Sequence, residues 1–264
     1  MSPPRAVPAL PSAMTRLDAA ADMNTSPGAV AAIVVATAPA ADERTRPLLW
    51  LPVAGRPLIA WPLRALAQLD PLGFCAVITS PAHKDDALMA IQDAAPARVS
   101  AVIPTASRSW RRALATVSDI PATCEWIIAL DAAQPLVTAA GLREGLRVAQ
   151  RTGVAIAGEP VKETLKHVAR GLVTETPPRA SLTRLSAPAI FRREALEHAL
   201  AAAPANATDA VAGADVEPDL VTLAQRAGVP LVAFDAGSLS LCVTSEADLA
   251  IVETLLSQRP PEAL

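Results

Sequence analysis

The stretch best equipped for chemistry is Glu125–Val137, EWIIALDAAQPLV. Trp126, Ile127, Ile128 and Leu130 have strand character and run into one carboxylate, Asp131, followed by two alanines, Gln134, Pro135 and an apolar pair. A buried strand ending in a lone carboxylate and then in very small residues is the usual construction of a site at the carboxyl edge of a parallel sheet. Such a strand is rigid and dry, its carboxylate emerges at the tip where a ligand or metal reaches it, and alanines let a ligand approach the backbone. The competing reading is that Asp131 caps the helix that starts near Thr138.

Other reactive residues are few. Cys75, Cys124 and Cys242 are odd in number, and their spacing fits neither a zinc knuckle nor a CxxC pair. Cys75 and Cys124 fall in strand-like runs, which points to buried thiols and a reducing, cytoplasmic compartment. Cys242 reads as a buried strand thiol with no patterned histidine to activate it. His83, His167 and His198 lie far apart and form no metal motif. Arginine carries most of the positive charge, with Arg108, Arg111 and Arg112 clustered and Arg44 and Arg46 upstream.

Composition limits what these residues can serve. The chain is 52% hydrophobic with 3% aromatics and no tyrosine, so its core is aliphatic. A formal net charge of −3, with no basic excess, argues against non-specific nucleic-acid binding. No apolar run of about 20 residues free of charge and proline is present, so no membrane span is expected. Residues 1–28 are rich in Pro, Ala and Ser without a continuous apolar core. They read as a disordered leader rather than a signal peptide, with Met14 or Met23 as alternative starts.

The elements that must position Asp131 alternate. Strands are predicted over Ala29–Ala36, Phe74–Thr79, Val99–Ile103, Trp126–Leu130 and Val154–Ala157. Helices are predicted over Pro57–Leu69, Lys84–Asp93, Arg108–Val117 and Ala139–Arg151, the last ended by Gly153. This is the rhythm of a doubly wound, mostly parallel α/β sheet, one domain over residues 29–258. Pro160–Arg179 breaks it and reads as a protruding two-stranded β-arm (residues 160–180) turning near Gly171. An isolated hairpin is marginal in water, so the arm implies a homodimer, the alternative being an irregular excursion packed on its own domain. Beyond it follow a short strand Ala189–Phe191, a helix Arg193–Ala203, a flexible stretch Pro204–Asp215 and a helix Glu217–Ala227. Strands Leu231–Phe234 and Leu239–Val243 and a helix Ser245–Ser257 complete the chain, with Ser245 and Asp248 forming a variant capping box and residues 259–264 a frayed tail.

Four motifs in this order resemble the 2-C-methyl-D-erythritol 4-phosphate cytidylyltransferase family. LDAAQPLV is similar to the family's HDAARPLV, PVKETLKHV to PVxDTLKxV, VTSEADLAIVETLL to TTPEDLxxAExLL, and RPLLWLPVAGRPLIAW stands where the family has PKQYLxLxGxPLLxH. The resemblance runs from about Ala29 to Leu256 and implies a nucleotide-diphospho-sugar transferase fold. It also implies Mg²⁺-assisted transfer of CMP from CTP to a sugar-alcohol phosphate, in the isoprenoid precursor pathway, by a homodimer. In such a reaction the substrate phosphate attacks the α-phosphorus in line, so catalysis is positioning and charge neutralisation.

Carried over by motif, Asp131 is the metal and catalytic carboxylate. Ala36 and Ala132 line the nucleotide site, and Arg108 is the arginine of the family's GxxRxxS nucleotide segment. Thr164 and Arg179 are the arm residues that reach the sugar phosphate across the dimer, Arg179 also counting as catalytic. Other positions depart. The Gly-rich AAGxGxR loop is replaced by ATAPAADERTRP, with Pro39 at its second glycine and Ala41 at its arginine. The lysine of PKQ is Leu48, the arginine of HDAAR is Gln134, the serine of GxxRxxS is Arg111, and the late lysine is Cys242. One preorganised charge contact is worth about 3–4 kcal/mol in a transition state. Any three of these four missing cations therefore cost at most about 9–12 kcal/mol. Arg44, Arg46, Arg111 and Arg112 are nearby but differ from lysine in shape and hydration. Three functions stay open on the sequence: a cytidylyltransferase with weak or lost activity, a pseudoenzyme acting as a binding or regulatory homodimer, and a nucleotidyltransferase for another substrate.

Overall fold

In β2 (Ala29–Val35) every residue is buried, and the side chains alternate between two cores. Val30, Ala32 and Val34 belong to one cluster, and Ala29, Ala31, Ile33 and Val35 to the other. A strand with period-two side chains and no polar face must be covered on both sides, which is the physical content of a doubly wound sheet. The computed structural model describes residues 15–16, 29–36, 48–70, 72–94, 101–104, 120–202, 220–236 and 241–259.

Among the described residues the main sheet has eight strands. In chain order they are β1 (Thr15–Arg16), β2, β5 (Leu72–Thr79), β6 (Ala101–Pro104), β7 (Cys124–Asp131), β8 (Val154–Pro160), β11 (Thr183–Arg192) and β12 (Val232–Phe234). The omitted numbers are two small hairpins, β3 (Pro52–Val53) with β4 (Arg56–Pro57), and β9 (His167–Ala169) with β10 (Leu172–Glu175). The spatial order is β1-β6-β5-β2-β7-β11-β8-β12. The run from β6 to β7 is parallel, β11 is antiparallel to both its neighbours, β12 is parallel to β8, and β1 pairs antiparallel with the edge of β6. Among the described residues the helices are α1 (Ala60–Ala67), α2 (Lys84–Ala94), α3 (Ala139–Thr152), α4 (Arg193–Ala202), α5 (Leu220–Arg226) and α6 (Glu246–Ser257). None is long and apolar enough to cross a membrane.

Several predicted elements move. The helix expected from Pro57 begins at Ala60, because Pro57 closes the β3–β4 hairpin. Pro62 falls in the first turn of α1, where a missing N–H costs no bond. The strand expected over Ala189–Phe191 is ten residues long. Its first three residues, Thr183–Leu185, are exposed, and two of them are polar, which conceals the start of the strand in sequence. The segment expected as a strand at Leu239–Val243 has no regular structure over Leu241–Thr244, and Leu239 lies outside the described residues. Also outside are the leader except Thr15–Arg16, the predicted helix Arg108–Val117, the stretch Pro204–Asp215 and all but the start of the tail.

The arm is a hairpin. β9 and β10 pair antiparallel across Arg170 and Gly171, both with positive φ (51° and 79°), the pattern of a tight type I′ turn. Among the described residues nothing covers the strand faces: Val168, Leu172 and Val173 are 61%, 71% and 64% exposed.

Candidate functional site

Three strand ends meet at the carboxyl edge. In the parallel register Val35 pairs with Ile78 on β5 and with Asp131 on β7. The pairing continues one residue past β2 and β7, with the Ala36 N–H donating to the Ile78 carbonyl (2.8 Å) and the Ala132 N–H to the Val35 carbonyl (3.0 Å). This brings Ala36, Asp131 and Ala132 together at one point of the sheet, both alanines buried. Small side chains leave the backbone there approachable.

Asp131 is the last residue of β7 and half-buried. Its Oδ1 accepts the Ala133 N–H at 2.8 Å, and its carbonyl accepts the Gln134 N–H at 3.2 Å. The chain therefore turns tightly right after the strand and fixes the carboxylate against its own loop. Burial pushes the Asp131 carboxyl above its ordinary range, and the Ala133 N–H opposes that in part. The alternative role as a helix cap is excluded. Thr138 is the N-cap of α3, its hydroxyl accepting the Gly141 N–H at 3.1 Å.

The second wall is the segment Leu241–Thr244. The Val243 N–H donates to the Ala133 carbonyl at 2.8 Å, which lays this segment along the Asp131 loop. Cys242 is half-buried, and its thiol is pushed up to about 12 by burial first and then by the negative charges of Asp131 and Asp248. It stays a neutral thiol at physiological pH and is no nucleophile. It does not sit on a strand, as the sequence reading had it. Cys75 and Cys124 are buried in β5 and β7 as expected.

The positions at which the resemblance implies cations are neutral in this chain. Leu48 is 5% exposed and part of the hydrophobic core. Gln134 is 7% exposed, and its Oε1 is buried with no hydrogen-bond partner among the described residues. Nothing in the sequence signalled that orphan oxygen, nor the apposition of Val243 and Ala133, which lie more than a hundred residues apart in the chain. Thr164 and Arg179 are exposed on the arm, Arg179 opening a single 3₁₀ turn, and the structure does not bring them to Asp131 through any element of the edge. Beside Thr164 a cavity of about 280 Å³ opens at the base of the arm, between Val161–Leu165 and Leu182–Arg184. Arg108, Arg44, Arg46, Arg111 and Arg112 lie outside the described residues.

Among the described residues no group of three or more His, Cys, Asp or Glu side chains converges to hold a metal. Asp131 alone is a plausible donor set for magnesium, which takes one or two carboxylates and completes its shell with phosphate oxygens and water. Oδ1 accepts the Ala133 N–H, and among the described residues no donor is recorded on Oδ2, the oxygen that could meet a cation.

The family model for 2-C-methyl-D-erythritol 4-phosphate cytidylyltransferase matches residues 29–258. The cytidylyltransferase of that name from Parasynechococcus marenigrum is 32% identical over 213 residues, 80% of this chain and 90% of the relative. That from Dehalococcoides mccartyi is 26% identical over 232 residues, 87% of this chain and 96% of the relative. Among solved structures, the 4-diphosphocytidyl-2C-methyl-D-erythritol synthase of Anaerococcus prevotii superposes with a TM-score of 0.71 at 11% identity, covering 89% of this chain and 98% of that one. A CMP:2-keto-3-deoxy-manno-octonic acid synthetase solved with CTP superposes at 0.64 with 15% identity, covering 87% and 99%.

Proposed function

Because the chain belongs to the 2-C-methyl-D-erythritol 4-phosphate cytidylyltransferase family, we propose that it holds CTP at the Asp131 edge with a weakened grip on the triphosphate, so that CMP transfer to a sugar-alcohol phosphate is slow. The observation that carries this reading is that three positions at which the resemblance implies cations are neutral here: Leu48 in the core, buried Gln134 on the Asp131 loop, and the neutral thiol of Cys242. On this reading Ala36 and Ala132 line the nucleotide and Arg108 supplies a cation to it. Asp131 holds Mg²⁺, which when bound neutralises phosphate charge. Thr164 and Arg179 of a second copy approach the sugar phosphate, and the exposed apolar arm supports that arrangement. In-line attack needs only placement and charge compensation. Each absent cation at about 3–4 kcal/mol lowers the rate by two to three orders of magnitude.

A second reading, a pseudoenzyme that binds without turnover, is favoured by one observation. Leu48 is packed into the core rather than lining an open phosphate site. The test is diphosphate release from CTP and methylerythritol 4-phosphate with Mg²⁺, run on the native chain beside Cys242→Lys and Leu48→Lys/Cys242→Lys. We expect slow native turnover and a gain of about tenfold or more in the single variant, whose side chain is partly exposed and lets a lysine reach solvent. Native turnover at an ordinary enzymatic rate with no gain in either variant overturns the weakened-grip reading. CTP binding without turnover in all three supports the pseudoenzyme.

A further inference from the structure

Asp248 sits in the first turn of α6, and its Oδ2 collects four donors: the backbone N–H groups of Thr244 and Ser245 (both 2.9 Å) and the hydroxyls of Thr244 (3.1 Å) and Ser245 (2.9 Å). Only the Ser245 half of this is needed for a helix cap. Ser245 Oγ accepts the Asp248 N–H at 3.4 Å, and the Ser245 N–H returns to the Asp248 carboxylate, which completes the capping box. The two bonds from Thr244 lie one residue outside the helix and fix the chain that leads into it. The next residue upstream, Val243, is fully buried and donates its N–H to Ala133, whose own N–H holds Asp131 Oδ1. An unbroken series of bonds therefore runs from Asp248 through Thr244 and Val243 to Ala133 and the Asp131 carboxylate.

We propose that Asp248 is a positioning residue for the Asp131 site: it clamps the irregular segment Leu241–Thr244 so that Val243 braces the Asp131 loop and Cys242 is held as the wall beside the carboxylate. The ligand side of this inference rests on the nucleotide-binding reading above. The clamp itself does not. An irregular segment has no ladder to hold it, so its geometry depends on the few bonds at its ends. The carboxylate is the strongest acceptor available at that end, and bonds to an ionised acceptor are about twice as strong as neutral ones.

The experiment compares Asp248→Ala, Asp248→Glu and Ser245→Ala by amide hydrogen exchange and by Mg²⁺–CTP titration. Ser245→Ala removes the cap acceptor but keeps the Asp248 carboxylate and its Thr244 bonds, so it reports helix stability alone. If Asp248 positions the wall, Asp248→Ala lowers protection of the Val243 amide by about tenfold or more relative to Ser245→Ala, while the mid-helix Val252 amide falls alike in both. It also weakens Mg²⁺–CTP binding by about tenfold relative to Ser245→Ala, with Asp248→Glu restoring part of both effects. Equal loss of Val243 protection in Asp248→Ala and Ser245→Ala overturns the clamp. Selective loss of Val243 protection with undiminished Mg²⁺–CTP affinity overturns the positioning role. Selective loss in a chain whose native form binds no CTP upholds the clamp and removes the nucleotide reading instead.

Discussion

Asp131 carries the residue-scale argument. Its carboxyl is raised by burial, so the folded protein holds a proton there at a pH where the unfolded chain has released it. In that window the native state binds more protons, and stability falls as pH rises through the raised value. Asp131→Asn removes this cost and keeps an oxygen for the Ala133 N–H. The variant is expected to melt above the native chain at neutral pH, with the difference closing as pH falls below the ordinary carboxylate range. The same variant is expected to lose Mg²⁺-dependent nucleotide affinity. A carboxylate kept at a cost to stability is what a ligand site requires, and an unchanged melting temperature together with unchanged nucleotide affinity would remove Asp131 from the site. Asp248 is the counterpart, its carboxyl held below its usual range chiefly by the Thr244 N–H.

At the scale of elements, α3 shows how tightly the edge is built. Its Thr138 cap follows the Asp131 loop directly, and its Gly141 faces the backbone of the residues after β12. A methyl group at Gly141 would lie 2.5 Å from the Ala236 carbonyl oxygen, a backbone atom that yields little. Gly141→Ala gains helix propensity of about 1 kcal/mol but forces an overpacking cost of about 1–3 kcal/mol. We expect a net loss of stability in urea denaturation, opposite in sign to the same change on an exposed helix face. The Arg259 guanidinium pins the far end of the same loop by donating to the Leu136 carbonyl. The loop that carries Asp131 and Ala132 is thus tied by β2, by Val243 and by Arg259, which suits a site that works by placement.

For the whole molecule the arm is a surface with several exposed apolar residues. Leu165, Val168, Leu172 and Val173 are 44% to 71% exposed, close together along β9, β10 and the chain leading to them. A two-stranded ribbon with apolar faces in water gains little from its own pairing. A second copy is the partner the proposed function requires. Leu172→Asp/Val173→Asp is expected to shift a dimer to monomer by light scattering at micromolar concentration. A native chain that is already a monomer at that concentration removes the dimer from the proposal.

The sequence by itself determined the parallel core, the edge position of Asp131 and the arm with its turn at Gly171. These rest on local signals: unbroken aliphatic runs for strands buried on both faces, a carboxylate at a strand's end, and a glycine where φ must be positive. It also carried the family, because motif order survives where single residues have changed. What it placed wrongly was governed by long-range partners. Pro57 joined a hairpin instead of starting a helix, β11 extended through exposed polar residues because β8 offered it a ladder, and Leu241–Thr244 left the strand state because Asp248 and Ala133 took its hydrogen bonds. Only the tertiary structure decided that Thr138 rather than Asp131 caps α3, that Leu48 is buried in the core, and that Cys242 is a neutral thiol beside a carboxylate. The burial of Leu48 and the Asp131 charge beside Cys242 are set by neighbours distant in the chain, which the local pattern around each of them does not encode.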